Sequence, residues 1–185
     1  MKRFLPRDRI AARKHFGLPQ DLFLAAFVGS FCERKGATRV AAALEDLDGT
    51  GAIFAGEGDM APVGSKVVLS RRIPHDEIPL FLSSADIFVL PTQSEGSCNA
   101  IVEAMACGLP VISSVGEFND DLLDNQSSIR VDPMDITAIR SAIAKLRDDP
   151  VLRQSMAVAA VKRAKQFDVD ERARRVLEFM SVRMG

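Results

Sequence analysis

Short, almost purely apolar runs recur along this chain: LFLAAFV over residues 22–28, IFA over 53–55, the apolar part of 66–69, IFVL over 87–90, VIS over 111–113 and IRV over 129–131. A strand that is apolar on both sides has to be covered on both sides, and such runs belong to the interior of a parallel sheet rather than to a half-solvated one. Between them the apolar spacing changes to that of a helix, as at Ala37, Val40, Ala41 and Leu44, or at Ile136, Ile139, Ile143 and Leu146. Helices are expected over residues 6–16, 34–47, 76–84, 99–107, 117–123, 136–146 and 169–180. Alternating short strands and helices predict an α/β fold, a three-layer doubly wound parallel sheet of Rossmann-like type. Its ligand would bind at the carboxyl ends of the strands.

The basic, proline-containing residues 1–20 read as a linker-like entrance segment, 21–168 as the Rossmann-like domain and 169–185 as a C-terminal helix. A length of 185 residues with 47% hydrophobic composition suits one substantial core. The 24 basic and 25 acidic residues nearly cancel, which gives no reason to expect nucleic acid as a partner. Cys32, Cys98 and Cys107 form neither an even disulfide set nor a metal spacing, so a reducing, cytoplasmic setting is expected. The N-terminus is too broken by charge and proline for a signal peptide, and no apolar run approaches the roughly 18 residues of a membrane helix.

Two segments carry chemistry. In VGSFCERKG, residues 28–36, Gly29 lets the chain turn after a strand, free amides would open the next helix, and Arg34 and Lys35 add charge, a combination suited to phosphate. The plain alternative is a pair of solvated residues. The segment lacks both the dinucleotide fingerprint and the nucleoside-triphosphate loop pattern. AGEGD, residues 55–59, reads first as a plain acidic turn, although its close glycines would also admit a ligand to the backbone.

In EGSCNAIVEAMACGLPVI, residues 95–112, Glu95 falls in the loop after a strand and Glu103 in the helix beyond it. Carboxylates accept hydrogen bonds from vicinal hydroxyls, and the first amides of a helix accept an anion, so the segment offers partners for both parts of a sugar nucleotide. Read locally, Glu95 is equally a loop charge and Glu103 a residue of a solvated helix face. Cys98 and Cys107 read as small packed residues, His75 as a capping or exposed residue before a helix.

Residues 85–114, ADIFVLPTQSEGSCNAIVEAMACGLPVISS, resemble the signature region of the family 4 retaining glycosyltransferases, also called glycosyl transferases group 1. Glu95 and Glu103 fit that family's E-x7-E hallmark, and the match continues through Gly96, Asn99, Ala104, Met105, Gly108, Pro110 and Val111. The resemblance implies the C-terminal, donor-binding half of a GT-B fold. It implies transfer of a sugar from a nucleoside diphosphate sugar, UDP- or GDP-linked, to an acceptor hydroxyl with retention, and no resident cofactor or metal. Lys35 would contact the diphosphate, Glu95 the transferred sugar and Glu103 the ribose; Gly29 and Asn99 would line the site and Gly96, Ser97 and Cys98 would supply amides. Glu95 and Lys35 carry the expected catalytic contribution. The chain departs from the family pattern at Ser30, where arginine is usual and Arg34 would compensate, and after Gly116, where Glu117 or, by position, Asp120 would take an acidic role, the plain alternative being a capping or solvated residue. The expected partner is an N-terminal acceptor-binding domain or subunit, the part through which contact with the inner face of a membrane would come. A noncatalytic sugar-nucleotide-binding module and an epimerase fragment are the competing readings.

Overall fold

A computed structural model describes residues 3–95 and 98–167. Six strands, β1 (Phe23–Val28), β2 (Thr50–Ala55), β3 (Val67–Arg71), β4 (Ile87–Leu90), β5 (Val111–Ser114) and β6 (Ser128–Val131), form one sheet in the order β3-β2-β1-β4-β5-β6. Every pairing is parallel. The apolar runs are central for the reason their composition suggests: all four residues of β4 and all six of β2 are buried. Chain order reverses between β1 and β4. The loops that leave the carboxyl ends of those two strands lie where sheets of this kind bind ligands.

The helices are α1 (Arg9–Phe16), α2 (Ala37–Leu44), α3 (Ile78–Ser83), α4 (Asn99–Ala106), α5 (Ile136–Asp148) and α6 (Pro150–Ala164). α2 packs with α5, while α3 packs with α1 and α4, and α4 with α6. Two expectations need correction. Residues 117–123 hold only a one-turn 3₁₀ helix, Glu117–Asn119. α6 is not among the helices expected from apolar spacing: Asp149 caps it by accepting from Leu152 N at 2.8 Å, and Pro150 occupies its first position, both ordinary start signals that follow α5 without a loop. The expected helix over 169–180 lies outside the described residues.

α1, drawn from the entrance segment, is tied to the sheet by charge. Arg13, 3% exposed, donates to Asp86 Oδ2 at 2.8 Å and to the carbonyls of Ser84 and Gln20, and Asp86 also accepts from Leu24 N at 2.7 Å and from Arg9. One buried carboxylate thereby joins α1, the start of β1 and the start of β4.

At the opposite, carboxyl end the loops are zipped together. Phe31 N donates to Glu57 O and Met60 N to Phe31 O, with the Phe31 ring wedged against Phe27 and Phe54. A Cβ on Gly56 would lie 1.9 Å from the Gly29 carbonyl oxygen, so AGEGD owes this glycine to the close passage of its neighbour loop rather than to a ligand.

Candidate donor site at the sheet switch point

α2 begins at Ala37, the first residue of its apolar stripe and three residues after the expected start at residue 34, and this leaves Arg34 and Lys35 off the helix. They occupy a turn in which Lys35 N and Gly36 N both donate to Cys32 O. Gly36 ends that turn at φ 79°, where a Cβ would meet Pro91 O at 2.8 Å. The tight passage brings the β1–α2 turn against the end of β4. Arg39, itself buried, donates to Pro91 O at 3.0 Å and Glu33 O at 2.9 Å, and Gln93 N donates to Arg34 O at 2.9 Å.

Across this seam the charged residues meet. Lys35 Nζ donates to Glu95 Oε1, Arg34 reaches Ser94 O at 2.6 Å and Glu95 Oε1 at 3.5 Å, and Thr92 Oγ1 lies 2.9 Å from the same carboxylate oxygen. The Lys35 and Glu95 side chains are 15% and 9% exposed against 47% for Arg34, so the first two form the floor of the cluster and Arg34 its rim. Lys35 and Glu95, 60 residues apart in sequence, are thus side by side. Gly96 and Ser97 lie outside the described residues.

Gly29 and Ser30 line an adjoining open cleft of about 350 Å³, together with Gly56, Glu57, Arg72 and His75. His75, weighed as a capping or exposed residue, is exposed but stands on the wall of this cleft, its ring 5.9 Å from that of Phe4. No local sequence signal places His75 and Ser30 on one cleft, because that depends on the order of β1, β2 and β3.

α4 follows directly. Cys98 is its buried N-cap residue, Asn99 its first residue, and Glu103 lies one turn further on, half-buried. Burial pushes the Glu103 carboxyl above its ordinary range, against an opposing pull from His75. Among the described residues no donor satisfies that carboxylate with a hydrogen bond. A half-buried carboxylate with no hydrogen-bond donor among the described residues is suited to ligand hydroxyls. Burial also raises the thiol of Cys98 to about 11 and that of Cys107 to about 12, so neither is a ready nucleophile. Asp120, at the end of the 3₁₀ turn, accepts from Arg130 at 2.6 Å, and Arg130 also holds Gly116 O at 3.0 Å. Among the described residues no group of three His, Cys, Asp or Glu could hold a metal ion, and no helix is long and apolar enough to cross a membrane.

Residues 8–163 match the family of glycosyl transferases group 1. The chain belongs to that family. Among curated proteins it is similar to a D-inositol 3-phosphate glycosyltransferase of Thermomonospora curvata, 29% identical over 191 residues that cover 90% of this chain and 44% of that one. Among solved structures it is similar to sucrose-phosphate synthase from Thermosynechococcus elongatus, with a TM-score of 0.85, 25% identity, and coverage of 99% of this chain and 50% of that one. It also superposes on Anabaena HepE in complex with UDP-glucose, with a TM-score of 0.84 and 20% identity over 98% of this chain and 55% of that one, a likeness of fold. The chain spans about half the length of these relatives. It resembles the nucleotide-sugar-binding, C-terminal half of a GT-B glycosyltransferase.

Proposed function

We propose that this chain is the donor domain of a retaining glycosyltransferase, which moves a sugar from a UDP- or GDP-sugar to an acceptor hydroxyl. The observation that carries the reading is the convergence of Lys35 and Glu95 from separate loops at the β1/β4 reversal, with the half-buried Glu103 carboxylate, which no described residue hydrogen-bonds, one helical turn into α4.

In this assignment Lys35 takes the diphosphate. Negative charge grows on that group as the sugar departs, and a fixed ammonium in a partly dry site stabilises it without any proton transfer. Arg34, already at the rim, supplies the second cation that Ser30 does not. Glu95 takes the hydroxyls of the transferred sugar and Glu103 those of the ribose, while amides at Gly96, Ser97 and Cys98 complete the phosphate cradle. Asn99 closes the site from the start of α4. Asp120 would act only after leaving Arg130.

The acceptor is held by a further domain or subunit, consistent with relatives about twice this length, and any contact with a membrane surface would come through that part. Three free cysteines suit the cytoplasm.

Thermal unfolding in the presence of UDP-glucose, UDP-N-acetylglucosamine, GDP-mannose and GDP-fucose tests the reading. At a hundredfold excess over Kd, binding to the folded state adds about 2.7 kcal/mol, a shift of several degrees. At least one of the four is expected to raise the Tm of the parent chain, and Lys35→Ala is expected to abolish the shift. Protection without hydrolysis or transfer supports a binding module awaiting its other half; no protection by any donor contradicts the proposal.

A further inference from the structure

We propose that Thr92 is a positioning residue for Glu95, fixing which carboxylate oxygen faces the protein and which is offered to the donor sugar; this rests on the donor-site reading above. Thr92 was not singled out by any pattern in the sequence. In the structure it is completely buried immediately after β4. Its backbone is held from two sides: Ser114 Oγ donates to Thr92 O at 2.5 Å, and Arg39 donates to the preceding carbonyl, Pro91 O, at 3.0 Å. Asn119, also fully buried, steadies the first of these anchors by donating to Ser114 O at 3.0 Å.

The Thr92 hydroxyl carries one proton and has two acceptors in reach, Ser94 O at 3.1 Å and Glu95 Oε1 at 2.9 Å. The carboxylate is both nearer and charged, so it takes the proton. Lys35, Arg34 and Thr92 then all address Oε1, and none of these three described donors uses Oε2. Of the three, Lys35 and Arg34 are cations that a diphosphate would compete for. When donor binds, the cations turn toward phosphate and Thr92 is left as the neutral group that keeps the carboxylate in register. A site whose donors are all drawn off by its ligand would lose the orientation of Glu95 at the moment it is needed.

The test compares Kd for a sugar nucleotide with Kd for its parent nucleoside diphosphate, UDP-glucose against UDP and GDP-mannose against GDP, by calorimetry in the parent chain, Thr92→Val and Thr92→Ser. Thr92→Val keeps the volume and removes the proton; Thr92→Ser keeps the proton. The valine variant is expected to weaken the sugar nucleotide about tenfold, the worth of one hydrogen bond to a charged group, while leaving the nucleoside diphosphate within about twofold. The serine variant is expected to recover the parent ratio. Equal weakening of both ligands in Thr92→Val, or an unchanged ratio, overturns the positioning role and leaves the donor site standing. Should Thr92→Val fail to fold, a serine variant that folds but has lost the parent ratio overturns it equally. If the parent chain binds none of the four probes, the donor-site reading itself fails, and this inference with it.

Discussion

Replacing Glu103 with glutamine is expected to weaken sugar-nucleotide binding by about a hundredfold, the loss of two charge-assisted hydrogen bonds to vicinal hydroxyls, and to leave the unliganded fold no less stable than the parent. The two effects have one cause. Glu103 is half-buried with no hydrogen-bond donor among the described residues, and burial raises its pKa. A carboxyl whose folded pKa exceeds its unfolded value binds a proton more tightly when folded. Stability therefore falls as pH rises from the unfolded value through the folded one, and the penalty is fully present above both. Glutamine removes the penalty, so any gain in Tm at neutral pH should shrink toward zero once the pH is below the ordinary glutamate range. Ligand binding has the opposite slope. It requires the ionised acceptor and should decline as pH drops through the raised value, earlier than for an ordinary glutamate. Isothermal titration across pH, beside thermal melts of the free chain, measures both; a glutamine variant that binds donor as well as the parent does would remove Glu103 from the site.

The second large effect is structural and lies at the other end of the sheet. Asp86→Ala is expected to cost about 3–5 kcal/mol, because it strands the Arg13 guanidinium in a site where that side chain is 3% exposed. Burial already pushes the Arg13 pKa down and Asp86 is what pulls it back up. The substitution also orphans Leu24 N, so the starts of β1 and β4 lose a shared acceptor. In a chain of this size the Tm should fall by roughly 10 °C. Asp86→Asn keeps an acceptor without the charge and should fall between the two. Urea unfolding of the three proteins decides the matter; an alanine variant within about 0.5 kcal/mol of the parent would mean that α1 is not held by this carboxylate.

Much of this architecture was legible because it is local. LFLAAFV and IFVL can be little other than doubly covered strands, and Ile136, Ile139, Ile143 and Leu146 mark one face of α5, where the last three are buried. α6 was missed because its apolar residues do not fall on one stripe: Met156, Ala160 and Ala164 face inward, but Val151 and Val158 are 79% and 63% exposed. The candidate site divides differently. Read locally, Glu95, Glu103 and Lys35 are equally solvated charges, and only the resemblance of their segments to a family pattern singled them out, whereas Arg13 with Asp86, and Thr92 with Ser114, are joined only by strand order. A pairing across 73 residues leaves no periodic trace in a single sequence. Arg34 shows a smaller failure, since the expected helix runs three residues ahead of its apolar stripe, which begins at Ala37, and so hides the turn from which its side chain reaches Ser94.

The most direct test of the donor-site account is a crystal structure of this chain with whichever of the four sugar nucleotides gives the largest thermal shift. The account predicts the diphosphate within hydrogen-bond reach of Lys35 Nζ, the ribose hydroxyls on Glu103 and the sugar against Glu95. A nucleotide seated anywhere else, such as at the amino ends of the strands near Arg9 and Arg153, would contradict it.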